Sequence, residues 1–336
     1  MEDLLATNIR KAIDKLNVSE ASLDFQLCGL FPHPVFYGSR QNIMCAQSDY
    51  FGFYVLANAI RSILRGINFA VASRLTLEAR LLAQSVVLSY TAGFHGLMAH
   101  LSLEGRSYFE RFNWAVRQSD GTLANGNLPS KLPIVVAVLK KNNTWIFECR
   151  NRSHKARWRE LLQLFTKTSY TIPQYYRNLF EYMFGDRQKE KIPLIELLKN
   201  PALREDNKLK IEDAKEEFFD RIAEVRHMAL YGAAGEDPRV VEALWNKDVT
   251  SSSGIERQAA EFYSFSEAML DHVSSDLVEL LSVLNPIVSV RKALCACIYI
   301  QCFDTPLTDE VTREVLKSRV RWIRRWLNVG LNPENA

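Results

Sequence analysis

Helical periodicity, repeated in three separate stretches, constrains this chain more than any other feature. Within Ser73–Gly105, the residues Val87, Tyr90, Phe94, Leu97, Met98 and Leu101 fall on one narrow stripe of a wheel drawn at about 100° per residue. Within Ile211–Leu230, Ile211, Ala214, Phe218, Ile222, Val225 and Ala229 do the same. Within Ser153–Phe165, Trp158, Leu161, Leu162 and Phe165 form the apolar side, and Ser153 is placed to cap the first turn. An apolar stripe must be buried against another element, so these segments are expected to pack on one another in a mainly α fold. Residues 1–17, Phe51–Leu64, Ile255–Leu284, Pro286–Phe303 and Thr308–Val329 carry the same period.

Breaks in the pattern suggest the domain plan. Residues 22–50 read as irregular, with Pro32 and Pro34 among aromatics and a turn at Gly38-Ser39. Residues 115–133, punctuated by Gly121, Gly126, Pro129 and Pro133, read as a loop. Ile134–Leu139 and Thr144–Cys149 read as a small hairpin turning at Lys140–Asn143 and inserted between helices. Thr250–Gly254 is the best linker. The expected division is an N-terminal extension over 1–69, a helical domain over 70–249 with the hairpin near 134–149, and a C-terminal helical subdomain over 255–330.

A chain of 336 residues, 47% of them hydrophobic, can bury a substantial core, and a net charge of +3 leaves nucleic-acid binding to a local patch. The N-terminal stretch MEDLLATNIRKAIDKL lacks the apolar centre of a secretory signal. The apolar runs are broken by polar residues short of the roughly 20 that a bilayer span needs. Six cysteines without zinc-like spacing read as buried thiols of a reducing cytoplasm. No metal and no cofactor is expected: the chain has no phosphate-binding glycine loop, dinucleotide fingerprint, HExxH or nucleophile elbow.

The chemistry is expected where cations border apolar stripes. In Asp220–Gly232 (DRIAEVRHMALYG), Arg226 flanks the stripe and can reach a cleft, whereas His227 points nearly opposite the core. Arg150, Arg152, Lys155, Arg157 and Arg159 make the densest basic cluster, a solvated face or a phosphate site. In the last helix Lys317, Arg321, Arg324 and Arg325 stand opposite Val315, Leu316, Val320, Trp322, Ile323, Trp326 and Leu327, a second basic surface. The bland readings are a helix-capping Arg226, a core Tyr231, a flank His95 and exposed first-turn His154 and Lys155.

Arg226-His227-x3-Tyr231-Gly232 resembles the end of a HEPN domain, a helical family in which Arg, a polar residue, three variable residues and His form the ribonuclease motif. One subgroup carries Tyr-Gly in place of His-Gly. Tyr90–His95 (YTAGFH), with Gly105 closing its helix, resembles that subgroup's signature helix, and Ser153-His154-Lys155 resembles the motif opening its next helix. The three motifs stand in the family's order over about 70–245. The resemblance implies a HEPN-like helical bundle, a homodimer or a helical protein partner, and Arg motifs facing a shared groove. Active members cleave RNA without metal, using the ribose 2′-OH. Here Tyr231 stands where the family has its His, and a neutral phenol with a pKa near 10 is a poor base.

The resulting expectation is an RNA- or nucleotide-binding, degenerate HEPN-like protein. The resemblance alone suggests prokaryotic antiviral defence or a toxin-type system. Binding is expected at Arg226, Tyr231, His154, Lys155, Arg157 and His95. The rivals are an active metal-independent ribonuclease using Arg226 with His95, His154 or Tyr231, and a non-enzymatic helical interaction subunit.

Overall fold

The computed structural model describes residues 4–16, 33–129, 134–150, 154–167, 170–184, 194–202, 212–213, 215–216, 218–220 and 252–283. They fall into two compact units, one drawn from Met1–Arg65, Met98–Arg152 and His272–Ala336, the other from Gly66–Leu97 and Ser153–Asp271. The helices are α1 (Leu4–Leu16), α2 (Phe51–Glu78), α3 (Leu82–Leu103), α4 (His154–Phe165), α5 (Gln174–Phe184), α6 (Leu194–Lys199) and α7 (Ser252–Val283). The strands are β1 (Val35–Ser39), β2 (Asn42–Cys45), β3 (Arg106–Phe109), β4 (Asn113–Arg117), β5 (Leu123–Asn125), β6 (Val135–Leu139) and β7 (Trp145–Cys149).

The seven strands found among the described residues belong to the first unit and form one mixed sheet in the order β3-β6-β7-β2-β1-β4-β5. The fold is therefore mixed α/β. This corrects the expected mainly α, HEPN-like bundle with a small hairpin insertion and a C-terminal helical subdomain. The hairpin of β6 and β7 does form, pairing Val135 with Cys149 through Leu139 with Trp145. Asn143 turns it in the left-handed region at φ 62°, which asparagine tolerates better than most side chains. It is not an insertion, however, because β6 also pairs with β3 and β7 with β2.

Three further pairings complete the sheet in segments expected to be irregular. β1 and β2 form a hairpin with Phe36 opposite Cys45. It relies on Gly38 at φ 108°, where an added Cβ would lie 2.3 Å from the Asn42 carbonyl oxygen. β4 and β5 form another across Asp120-Gly121, where the Asp120 carboxylate accepts hydrogen bonds from the Thr122 backbone N–H at 2.9 Å and the Thr122 hydroxyl at 2.7 Å. β1 and β4 pair in parallel, with Phe36 beside Trp114.

Aromatic rings join this sheet to the start of α2. Phe51 is wholly buried, with ring centroids 4.9 Å from Phe147 on β7 and 5.3 Å from both Phe109 on β3 and Trp145 on β7. Phe36 on β1 lies 6.0 Å from Phe51 and 5.3 Å from Phe147. The Trp145 indole N–H donates to Asn8 Oδ1 on α1 at 3.0 Å. Cys45 lies in the same core, and burial pushes its thiol up to about 12. Among the described residues α2 is the one helix long and apolar enough to cross a membrane, yet 67% of that apolar window is buried inside the protein, as in a core helix.

The described residues of the second unit are helices and their connections. Small residues bring segments of α3 and α7 close: a Cβ on Gly93 would lie 2.9 Å from the Phe265 ring, and one on Gly96 would lie 2.9 Å from Met269 Sδ. A second aromatic cluster gathers Trp158 of α4, Phe180 of α5 and Phe218, with Phe218 centroids 5.6 Å from Trp158 and 4.5 Å from Phe180. As expected from the periodicity, Phe94, Leu101, Phe165 and Phe218 are buried. Residues 212–213, 215–216 and 218–220 are helical, while 221–251, including Ile222 and Arg226, lie outside the described residues.

Phe51→Ala removes a ring shared by two strands and neighbouring a third, and should cost about 3–5 kcal/mol. Urea unfolding followed by tryptophan fluorescence will measure it, and a cost below about 1 kcal/mol would contradict the central place given to this side chain.

Candidate functional site

Two of the three motif segments meet inside the second unit, around Phe94. Tyr90, Phe94 and His95 lie on α3, and His154 opens α4. Tyr90 Oη and His154 Nδ1 share a hydrogen bond of 2.8 Å. The His154 ring lies flat on Phe94, with centroids 3.8 Å apart and planes 9° apart. The hydrogen bond and the stack together fix the orientation of a half-buried imidazole.

The helical repeat explains the α3 side of this arrangement. Tyr90 and Phe94 are four residues apart, hence on one face, with ring centroids 6.4 Å apart. His95, one residue on, turns to the flank. It stacks on Phe69 of α2 at 5.5 Å and meets Phe94 edge-on at 6.3 Å. Phe94 therefore touches both histidines of the candidate set.

From α4, Arg157 comes to the same ring. Its guanidinium carbon lies 5.5 Å from the Phe94 centroid, although the residue is only 1% exposed. A buried guanidinium needs compensation, and an aromatic face supplies about 2 kcal/mol of it when desolvated. Lys155 and Arg159, on the more exposed side of α4, converge on Glu216 and Phe219. Lys155 Nζ donates to Glu216 Oε2, and Arg159 Nη2 donates to Glu216 Oε1 at 2.6 Å. Both cationic groups stand 5.4 Å from the Phe219 centroid. The hydrogen bonds from Lys155, then Arg159, hold the Glu216 carboxyl below the usual carboxylate range.

The first turn of α4 contains no acidic residue. A helix N-terminus already carries a positive partial charge, and here Lys155 and Arg157 add to it, with His154 beside them. One carboxylate, Glu216, answers Lys155 and Arg159 together. Such a turn favours an anion, phosphate above all.

His95, His154, Lys155 and Arg157 are thus placed in one unit, His95, His154 and Arg157 at Phe94 and Lys155 at Glu216. Arg226, Tyr231 and the secondary basic set Lys317, Arg321, Arg324 and Arg325 lie outside the described residues, as does Ser153. Sequence reasoning missed Glu216 and Phe219. Their signal was present in Glu216 and Phe219 standing three apart, on one side of a helical run.

Comparison with protein-family models, with curated proteins and with solved structures finds no match.

Tyr90→Phe should cost about 0.5–1.5 kcal/mol through the missing hydrogen bond. Phe94→Leu, which keeps an apolar group but removes the stack and the cation–π interaction, should cost about 1–3 kcal/mol. Chemical denaturation of both variants checks this, and a Phe94→Leu protein as stable as the parent would show that the ring does not organise the site.

Proposed function

We propose that this protein binds RNA or a nucleotide at the first turn of α4, with His154 and Lys155 meeting phosphate, Arg157 buried behind them and His95 beside them. One observation carries the reading: His154 is held flat on Phe94 and tied to Tyr90 while Arg157 approaches the same ring. That is a pre-set group of one imidazole and one guanidinium at the positive end of a helix. The resemblance of Tyr90–His95 and Ser153–Lys155 to the HEPN motifs supports nucleic acid over other anions, and it adds Arg226 and Tyr231 as further ligand-binding residues. Tyr231 at the usual His position favours binding over cleavage.

Glu216 gives this site a built-in competitor. It pairs with Lys155 and Arg159, so in the absence of ligand it occupies groups that a phosphate would use. An exposed ion pair of this kind is worth about 0–1 kcal/mol, little enough for a polyanion to displace it.

Fluorescence anisotropy with single-stranded RNA over a range of salt tests the reading. Each neutralised phosphate adds about 0.7 to the slope of log affinity against log salt. Glu216→Gln should tighten binding and steepen the slope. Lys155→Ala with Arg159→Ala should flatten it by about 0.7 for each phosphate no longer neutralised. Absence of salt-dependent binding would favour the interaction-subunit reading. Metal-independent cleavage that disappears in His154→Ala or Arg226→Ala would replace binding with nuclease activity.

A further inference from the structure

We propose that His100, His272 and Asp276 form a binding site for one divalent transition-metal ion of the zinc type. All three belong to the first unit. His100 lies in the last turn of α3, and His272 and Asp276 lie one turn apart on α7, so their side chains share a face of that helix.

The ligating atoms of the three side chains all lie within 4.8 Å of one another. His272 Nε2 and Asp276 Oδ2 are 3.5 Å apart, and the two imidazole centroids are 6.3 Å apart at an interplanar angle of 37°. Zinc bonds of about 2.0–2.2 Å in tetrahedral geometry require ligand atoms roughly 3.3–3.6 Å apart. The His272–Asp276 pair already has that spacing. The remaining gaps close by a shift of about 1 Å, within reach of side-chain rotation.

The donor set selects the class of ion. Two imidazoles and one carboxylate suit zinc, iron, cobalt, nickel or copper, and are too nitrogen-rich for magnesium or calcium. Three protein ligands also leave a position open for water or another small ligand. His100 is 2% exposed and fixes the inner end of the site. The side chains of His272 and Asp276 are 39% and 36% exposed, which gives an ion an entry from solvent. No spacing rule reveals this set, because His100 and His272 stand on helices far apart in the chain.

The ordinary alternative is a buried core histidine near a surface ion pair, and metal stoichiometry separates the two. The full-length chain, stripped with a chelator and dialysed, should take up one equivalent of cobalt(II) with visible ligand-field absorption and release it to zinc. Bound zinc should also raise the melting temperature. Replacing buried His100 risks misfolding, so the half-exposed positions carry the test. His272→Ala and Asp276→Asn should each weaken zinc binding more than about tenfold in calorimetry while leaving the far-ultraviolet circular dichroism unchanged. Absence of one-equivalent binding, or binding unchanged in the two variants, would overturn the proposal. The outcome is independent of RNA binding, which uses residues of the other unit.

Discussion

The second unit is built around a charge that has to be buried. Arg157 sits on the inner side of α4 among Trp158, Leu161 and Phe165, where removing a guanidinium from water costs several kcal/mol. Phe94 supplies a π face to it, and the same ring provides the surface on which His154 lies flat. Tyr90, one turn before Phe94, closes the group through its bond to His154 Nδ1. An aliphatic residue in place of Arg157 would avoid the desolvation cost altogether. A cation near the start of a helix also opposes the macrodipole.

In the first unit the organising interaction is apolar. Phe51, at the first position of α2, touches rings from β3 and β7 and lies beside Phe36 of β1. These strands are distant in sequence, and their shared burial against one helix end joins them. The parallel pairing of β1 with β4 is the clearest case, since no short turn can join parallel neighbours.

The same two cores explain which parts of the fold were legible in the sequence. The long helices were in part, because Tyr90, Phe94, Leu97 and Leu101 repeat over several turns, but the expected helices Phe51–Leu64 and Ser73–Gly105 are instead Phe51–Glu78 and Leu82–Leu103, with the break at 79–81. So was the β6–β7 hairpin, where two apolar runs flank a Lys-Lys-Asn-Asn turn. The rest of the sheet was not. β5 has three residues, all exposed, and so carries no alternation to read. β2 has four, and its partner β1 is interrupted by Gly38. Asp120-Gly121 was a usable hairpin signal, but the prolines and glycines around it read as a loop. At the site, His95 and His154 could be named from motif order, yet their common approach to Phe94 depends on how α3 meets α4. His100, on the flank of the α3 stripe, is buried because α3 packs on nearly all sides there.

Whether His154, stacked on Phe94, stands at a phosphate-binding turn is tested most directly by an imidazole-detected NMR titration. The full-length chain is titrated with single-stranded RNA, with His154 assigned by its His154→Gln variant. The His154 resonance should shift saturably with RNA, at a midpoint that moves with salt, while buried His100 stays in place. A His154 resonance unmoved at RNA concentrations where the protein is bound would contradict the phosphate-binding role of this turn.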